Sequence, residues 1–119
     1  MMREILFRGK RMDNEEWVKG DLIREPWGYC IQVVDGDGNL FTRKKYAIDT
    51  STVGQYTGLL DKNGKHIFEG DILKTGILKT YIAFFERGAF YLVADTTLPI
   101  KYADRFEVIG NIYDNLELL

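Results

Sequence analysis

The chain has 119 residues, of which 45% are hydrophobic and 13% aromatic, and its formal net charge is -2. This size and composition predict one domain over 1–119 with a core of its own. The 16 basic and 18 acidic residues nearly balance, so net charge provides no general attraction to nucleic acid or acidic membranes. No stretch approaches the roughly 20 apolar residues of a membrane span. Charges interrupt the N-terminal apolar run too early for a signal peptide, and we expect a cytoplasmic protein.

The sequence contains no motif for a metal, a cofactor or a covalent nucleophile. Cys30 is the only cysteine and His66 the only histidine, which excludes an internal disulfide and any multi-thiolate or multi-histidine metal site. We expect Cys30 to be a small core residue. Acidic and amide residues alternate over 35–39 like the start of a calcium loop, but Leu40 and Tyr46 occupy the positions that need glycine and glutamate. We therefore expect no metal, no cofactor and no enzyme activity.

Short segments with β-strand character follow one another about every ten residues. Alternation and enrichment in β-branched and aromatic residues predict strands at 4–8, 16–24, 28–34, 40–46, 67–74, 77–85, 89–94 and 106–113. Turn residues predict reversals at 9–11, 35–39, 61–65 and 86–88, a connector at 47–52 and a loop at 96–99. No segment has the period of a long helix. These patterns predict an all-β fold, a small SH3-like barrel or pseudobarrel with additional hairpins and little or no long helix.

The clearest local pattern lies in 51–71, where Asn63 and Gly64 form the centre of a predicted hairpin turn. The blocks VGQYTGL (53–59), DKNGK (61–65) and IFEGDI (67–72) resemble the signature of YopX-like proteins of phages and prophages. The opening REILFRGK (3–10) and the block FEVIGNIYDN (106–115) are also similar to that family, so the resemblance covers nearly the whole chain. The family has a fold but no established activity, so the resemblance implies a phage or prophage accessory protein without naming a reaction.

Two Gly-Asp steps occur about 50 residues apart, in VKGDLI (18–23) and FEGDIL (68–73). One interpretation is that two strands begin with similar bends, for which glycine supplies the conformation and aspartate caps exposed amides. The other is that two half-barrel units pack together. The sequence alone leaves both interpretations open.

The basic segment Arg43, Lys44, Lys45 and Tyr46 is the candidate surface for a macromolecular partner. Lysine and arginine bind phosphates and tyrosine stacks on bases, so this segment is a candidate nucleic-acid surface. The alternative is a solvated strand edge, where lysine discourages unwanted pairing.

His66, Glu69 and Asp71 form a candidate polar site. On one strand, Glu69 and Asp71 would project from the same face, and paired carboxylates carry out acid-base chemistry when their pKa values differ. No nucleophile or phosphate-loop motif accompanies them. The leading hypothesis is a non-catalytic module that binds a host or phage protein, with 26–46 as the region that sets partner specificity. The alternatives are nucleic-acid binding and an enzyme that uses Glu69, Asp71 and His66, and self-association through strand edges is a further expectation.

Overall fold

The computed structural model describes residues 3–37, 40–76 and 79–119, without the side chains of 35–37, 40 and 41. Its regular elements are β-strands and two short 3-10 helices: β1 (Phe7–Arg11), β2 (Trp17–Glu25), β3 (Gly28–Asp37), β4 (Leu40–Leu60), β5 (His66–Phe68), β6 (Asp71–Thr75), β7 (Lys79–Glu86), β8 (Ala89–Val93), β9 (Thr97–Pro99), the 3-10 helix Ile100–Arg105, β10 (Glu107–Asn111) and the 3-10 helix Leu116–Leu118. The predicted all-β class is confirmed. Within the described ranges, no helix is long and apolar enough to cross a membrane.

The chain divides into two compact units, Met1–Gln55 and Tyr56–Leu119. We call them the ring unit and the sheet unit. The long strand β4 runs through the boundary, so its first part belongs to the ring unit and its last residues to the sheet unit.

The ring unit is built from four antiparallel strands that close on themselves. β1 pairs with β2, β2 with β3 and β3 with β4, and β4 returns to pair with β1. This closure gives the barrel-like arrangement that the strand pattern predicts.

The ring closes at an irregularity in β4. β1 pairs there through Arg8 with Gly54 and through Lys10 with Asp49, so β4 has extra residues between these two pairs. The Asp49 carboxylate accepts hydrogen bonds from the Ser51 N–H at 3.1 Å and the Ser51 hydroxyl at 2.7 Å. The prediction of a connector at 47–52 is therefore wrong, because the capping residues shape a bulge inside a continuous strand.

Two glycines allow the ring strands to approach closely. Gly9 lies within β1 and not in the predicted turn at 9–11, and a Cβ there would overlap the Ile48 side chain. A Cβ at Gly20 would overlap the backbone oxygen of Gln32 on the neighbouring strand. Cys30, Ile31 and Ile48 are among the buried residues of the ring unit, and the Ile31 and Ile48 side chains both approach Gly9. Cys30 is thus the core residue that we expected, and burial together with the nearby Glu25 carboxylate raises the pKa of its thiol.

The sheet unit contains a five-stranded antiparallel sheet in the order β10-β6-β7-β8-β9 and the hairpin of the end of β4 with β5. The predicted hairpin turn at 61–65 is confirmed, and Gly64 has the positive φ of +81° that its position needs. The predicted loop at 96–99 is wrong in part, because Thr97–Pro99 pairs with β8 as an edge strand.

One continuous apolar core stabilises the sheet unit. Its buried members come from β5, β6, β7, β8 and β10 and from the 3-10 helix Ile100–Arg105 and the residue after it: Ile67, Leu73, Tyr81, Ala83, Leu92, Ala103, Phe106 and Val108. Tyr81 and Phe106 meet edge to face, with 5.2 Å between ring centroids. Burying this apolar surface supplies the main driving force for folding of the unit.

Candidate partner-binding surface

The hairpin of β3 and β4 extends beyond the ring as a two-stranded arm, which we define as residues 33–37 and 40–44. Its strands pair from Val33 with Lys44 to Asp37 with Leu40. Among the described residues, pairing of β3 with β2 ends at Gln32, and pairing of β4 with β1 begins at Ile48. Each strand of the arm therefore has one edge whose backbone groups pair with no other described strand.

The basic segment lies in the arm and at its base. Arg43, Lys44 and Lys45 are exposed, whereas Tyr46 is half-buried. Because side chains alternate along a strand, Arg43 and Lys45 project from one face and Lys44 and Tyr46 from the other. The structure thus divides the segment between two faces and does not gather it into one basic patch.

Two of these residues have partners in the ring unit. Lys45 Nζ lies 3.5 Å from Glu25 Oε1. The Arg11 guanidinium lies over the Tyr46 ring, 4.4 Å from its centroid, and also pairs with Asp13 at 2.6 Å. The hydrogen bond that the Arg11 guanidinium donates to the Asp13 carboxylate holds the pKa of Asp13 below its usual value. Arg43 and Lys44 are the residues of the segment that lie in the arm itself, and both are exposed.

The polar site predicted at His66, Glu69 and Asp71 is interrupted by a turn. Glu69 and Gly70 connect β5 to β6, and Gly70 has a φ of +91°. Glu69 and Asp71 therefore do not occupy alternate positions of one strand, which corrects the basis on which they were placed on one face. Asp71 is 2% exposed, and its Oδ2 accepts a hydrogen bond from the Phe68 N–H at 2.7 Å. His66 packs against Tyr56 edge to face, with 4.5 Å between ring centroids.

The two Gly-Asp steps have different conformations. Gly20 lies inside β2 and Asp21 is exposed, whereas Gly70 lies in a turn and Asp71 is buried. The first glycine allows close packing of strands and the second supplies a positive φ. The shared pattern therefore reflects two separate requirements for glycine.

Asp61 is the polar residue that sequence reasoning missed. It is 5% exposed, and its carboxylate accepts backbone hydrogen bonds from Asn63 at 2.8 Å, Lys65 at 2.9 Å and Val108 at 2.9 Å. Burial raises the pKa of Asp61, but these three N–H donors outweigh burial and hold it below its ordinary value. A turn aspartate is a recognisable signal for the two local bonds. The bond to Val108 spans 47 residues and has no local signal.

Residues 6–119 match the family model described as YopX protein. The chain is similar to the crystal structure of protein EF1440 from Enterococcus faecalis, with 26% identity, a TM-score of 0.67 and 99% coverage of each chain. No curated protein matches the chain.

Proposed function

This chain belongs to the YopX protein family, and we propose that it is a phage or prophage accessory protein that binds a protein of the host or the phage without catalysis. The proposed location is the cytoplasm of the bacterial host. The single observation that carries the proposal is the arm, whose two strand edges pair with no further described strand.

An exposed strand edge recognises an extended segment through main-chain hydrogen bonds. The edge N–H and C=O groups supply affinity, and alternate side chains supply specificity. In the arm, those side chains include Val34, which is 49% exposed, and the exposed Arg43 and Lys44. The proposed partner therefore offers an extended segment with an apolar side chain and acidic neighbours.

The edges of the five-stranded sheet are protected by comparison. β9 is only three residues long and ends in Pro99, which cannot donate a backbone hydrogen bond. On β10, the Val108 N–H is bound by Asp61, and the adjacent Phe106 carbonyl accepts the Lys62 N–H at 2.9 Å. These features favour the arm over the sheet as the place where another chain adds a strand.

The charges of the arm favour a different protein, and not a second copy of this chain, as the partner that adds a strand. Pairing two copies through the β4 edges of their arms would bring the Arg43 and Lys44 side chains of one copy near those of the other, and like charges on neighbouring strands are destabilising. A concentration series by light scattering tests self-association directly. A wild-type dimer that dissociates when residues 34–43 are removed would overturn this part of the proposal.

A shortened arm provides the main test. Because Val33 and Lys44 are paired, replacing 34–43 by Asn-Gly joins them with a two-residue hairpin turn and keeps the ring strands. Tagged wild-type protein is incubated with host lysate, with and without nuclease, and bound proteins are identified by mass spectrometry. We expect a protein that survives nuclease and is lost from the shortened variant.

The matched control is Arg87→Asn, which changes a hairpin turn of the sheet unit. It should retain the partner fully. Amide exchange must show that the ring of the shortened variant is intact, so that loss of the partner reports on the arm. A partner held equally well by the shortened variant would refute the role of the arm.

Nucleic-acid binding is the second candidate because Arg43 and Lys44 are both exposed on the arm. It predicts that enrichment disappears with nuclease and that retention on DNA or RNA falls as salt rises. Arg43→Gln with Lys44→Gln should then weaken retention and reduce its salt dependence. Retention that is insensitive to salt and to both substitutions would exclude this candidate.

A further inference from the structure

A pocket of about 380 Å³ lies in the sheet unit, away from the arm in sequence. Its lining residues come from the end of β6, from β9, from the 3-10 helix Ile100–Arg105 and from the residue after that helix: Thr75, Leu98, Tyr102, Arg105 and Phe106. A volume of this size is at the lower end of the range of small-molecule sites.

The apolar part of the pocket rests on the core. Phe106 is 4% exposed and packs edge to face on Tyr81, and Leu98 packs against the buried cluster. Side chains held by a packed core keep one arrangement. An apolar ligand group would therefore meet a preformed surface that needs little reorganisation.

The polar part of the pocket is cationic. Arg105 lies 5.6 Å from the Tyr102 ring centroid, and Lys101 lies 5.3 Å from the same centroid. Contact with an aromatic face restrains a cation without neutralising it. In the described ranges, no carboxylate forms an ion pair with Arg105 or Lys101, whereas Lys62 and Lys79 in the same unit pair with Glu107 and Asp95.

We propose that this pocket binds a small carboxylate that carries an aromatic ring. The ring packs on Phe106, Leu98 and Tyr102, and the carboxylate pairs with the Arg105 guanidinium, whose planar fork matches two carboxylate oxygens. Lys101 adds positive charge at the Tyr102 ring. This site is independent of the partner proposed for the arm, and either proposal stands if the other fails.

The test uses 3-phenylpropionate as the probe and 3-phenylpropionamide as its neutral counterpart. Each is titrated into ¹⁵N-labelled protein, and amide shifts are followed by NMR. We expect saturable shifts confined to the pocket residues, with a Kd on the order of 1 mM for a ligand of this size. The amide should bind about tenfold more weakly because it lacks the charge-assisted bonds.

Arg105→Gln identifies the group that binds the carboxylate. It should weaken 3-phenylpropionate about tenfold and leave the amide unchanged, and Arg24→Gln, at an exposed arginine of the ring unit, should change neither. If Arg105→Gln fails to fold, Tyr102→Phe is the second variant. It retains the aromatic ring and should preserve binding of 3-phenylpropionate. Equal affinity for acid and amide, an Arg105→Gln variant that binds normally, or no shift in the pocket at about ten times the expected Kd would overturn the proposal.

Discussion

The two units satisfy their backbone hydrogen bonds in different ways. The ring unit closes four strands on themselves through main-chain pairing, and each strand of the arm keeps one edge that pairs with no other described strand. The sheet unit keeps an open sheet, and the Asp61 carboxylate occupies backbone donors near one edge. The ring unit therefore depends on strands that approach closely enough to pair, whereas the sheet unit uses one buried carboxylate to bind backbone N–H groups.

The largest effect should come from placing a methyl group where two ring strands meet. In Gly20→Ala, the new Cβ meets the Gln32 backbone oxygen, which cannot rotate away. We expect a loss of about 3 kcal/mol in the free energy of unfolding of the ring unit, the upper range for overpacking. Amide exchange measured in both units should show reduced protection first among the ring strands.

Gly9→Ala is the matched control for that substitution. The atoms nearest its Cβ belong to the Ile48 and Ile31 side chains and not to the backbone, so the loss should be smaller, about 1 to 2 kcal/mol. Equal losses for both variants would mean that the backbone contact at Gly20 is not what limits the approach of the strands.

In the sheet unit, Asp61→Asn should cost about 2 kcal/mol, because a buried N–H group loses its charged acceptor. Urea unfolding followed by amide signals of the sheet unit measures this loss. The control is Asp95→Asn, whose carboxylate pairs with Lys79 at the surface, and no measurable change is expected there.

Lowering the pH should reduce the difference between wild type and Asp61→Asn. The pKa of Asp61 is depressed in the folded protein, relative to about 3.9 in an unfolded chain. Its contribution is therefore complete above the unfolded pKa and disappears as pH falls through the folded pKa. An unchanged difference between pH 7 and about pH 2 would contradict the assignment of this stability to the ionised carboxylate.

The smallest effect is a stabilisation at the turn between β7 and β8. Arg87 and Gly88 join the paired residues Glu86 and Ala89, with φ values of +50° and +82°. Asparagine accepts positive φ more readily than arginine, so Arg87→Asn should add about 0.5 kcal/mol. Thermal unfolding measures the gain, and a lower melting temperature would contradict the turn assignment.

Local chemistry explains which parts of the fold the sequence could predict. The turn at Asn63 and Gly64 and the hairpin at 28–46 are determined by residues next to one another, and both are present. In the sequence, Gly9 cannot be told from a turn glycine. In the structure, it leaves room for the Ile48 side chain across the ring. A single sequence does not show which distant strand a glycine faces.

The residues of the candidate site also divide into those that local sequence predicts and those that depend on distant strands. The exposure of Arg43 and Lys44 follows from a polar strand pattern, whereas the contacts of Lys45 with Glu25 and of Tyr46 with Arg11 depend on pairings between strands. The turn at Glu69 and Gly70 was missed because a Gly-Asp step fits both a strand and a bend. The pocket at Arg105 joins Thr75 to the contiguous stretch 98–106, and no local pattern signals that these two segments meet.

Closure of the ring has a consequence for the order of folding. β2 pairs with β3, and β3 with β4, through hairpins that can form as soon as their turns exist. The pairs of Phe7 with Gln55 and of Arg8 with Gly54 join the two ends of the unit. Forming them must overcome the loss of conformational entropy that comes from closing the whole intervening chain. During synthesis, β1 therefore lacks one of its two neighbours until Gln55 has left the ribosome, so completion of the ring should be the slow step in folding of this unit.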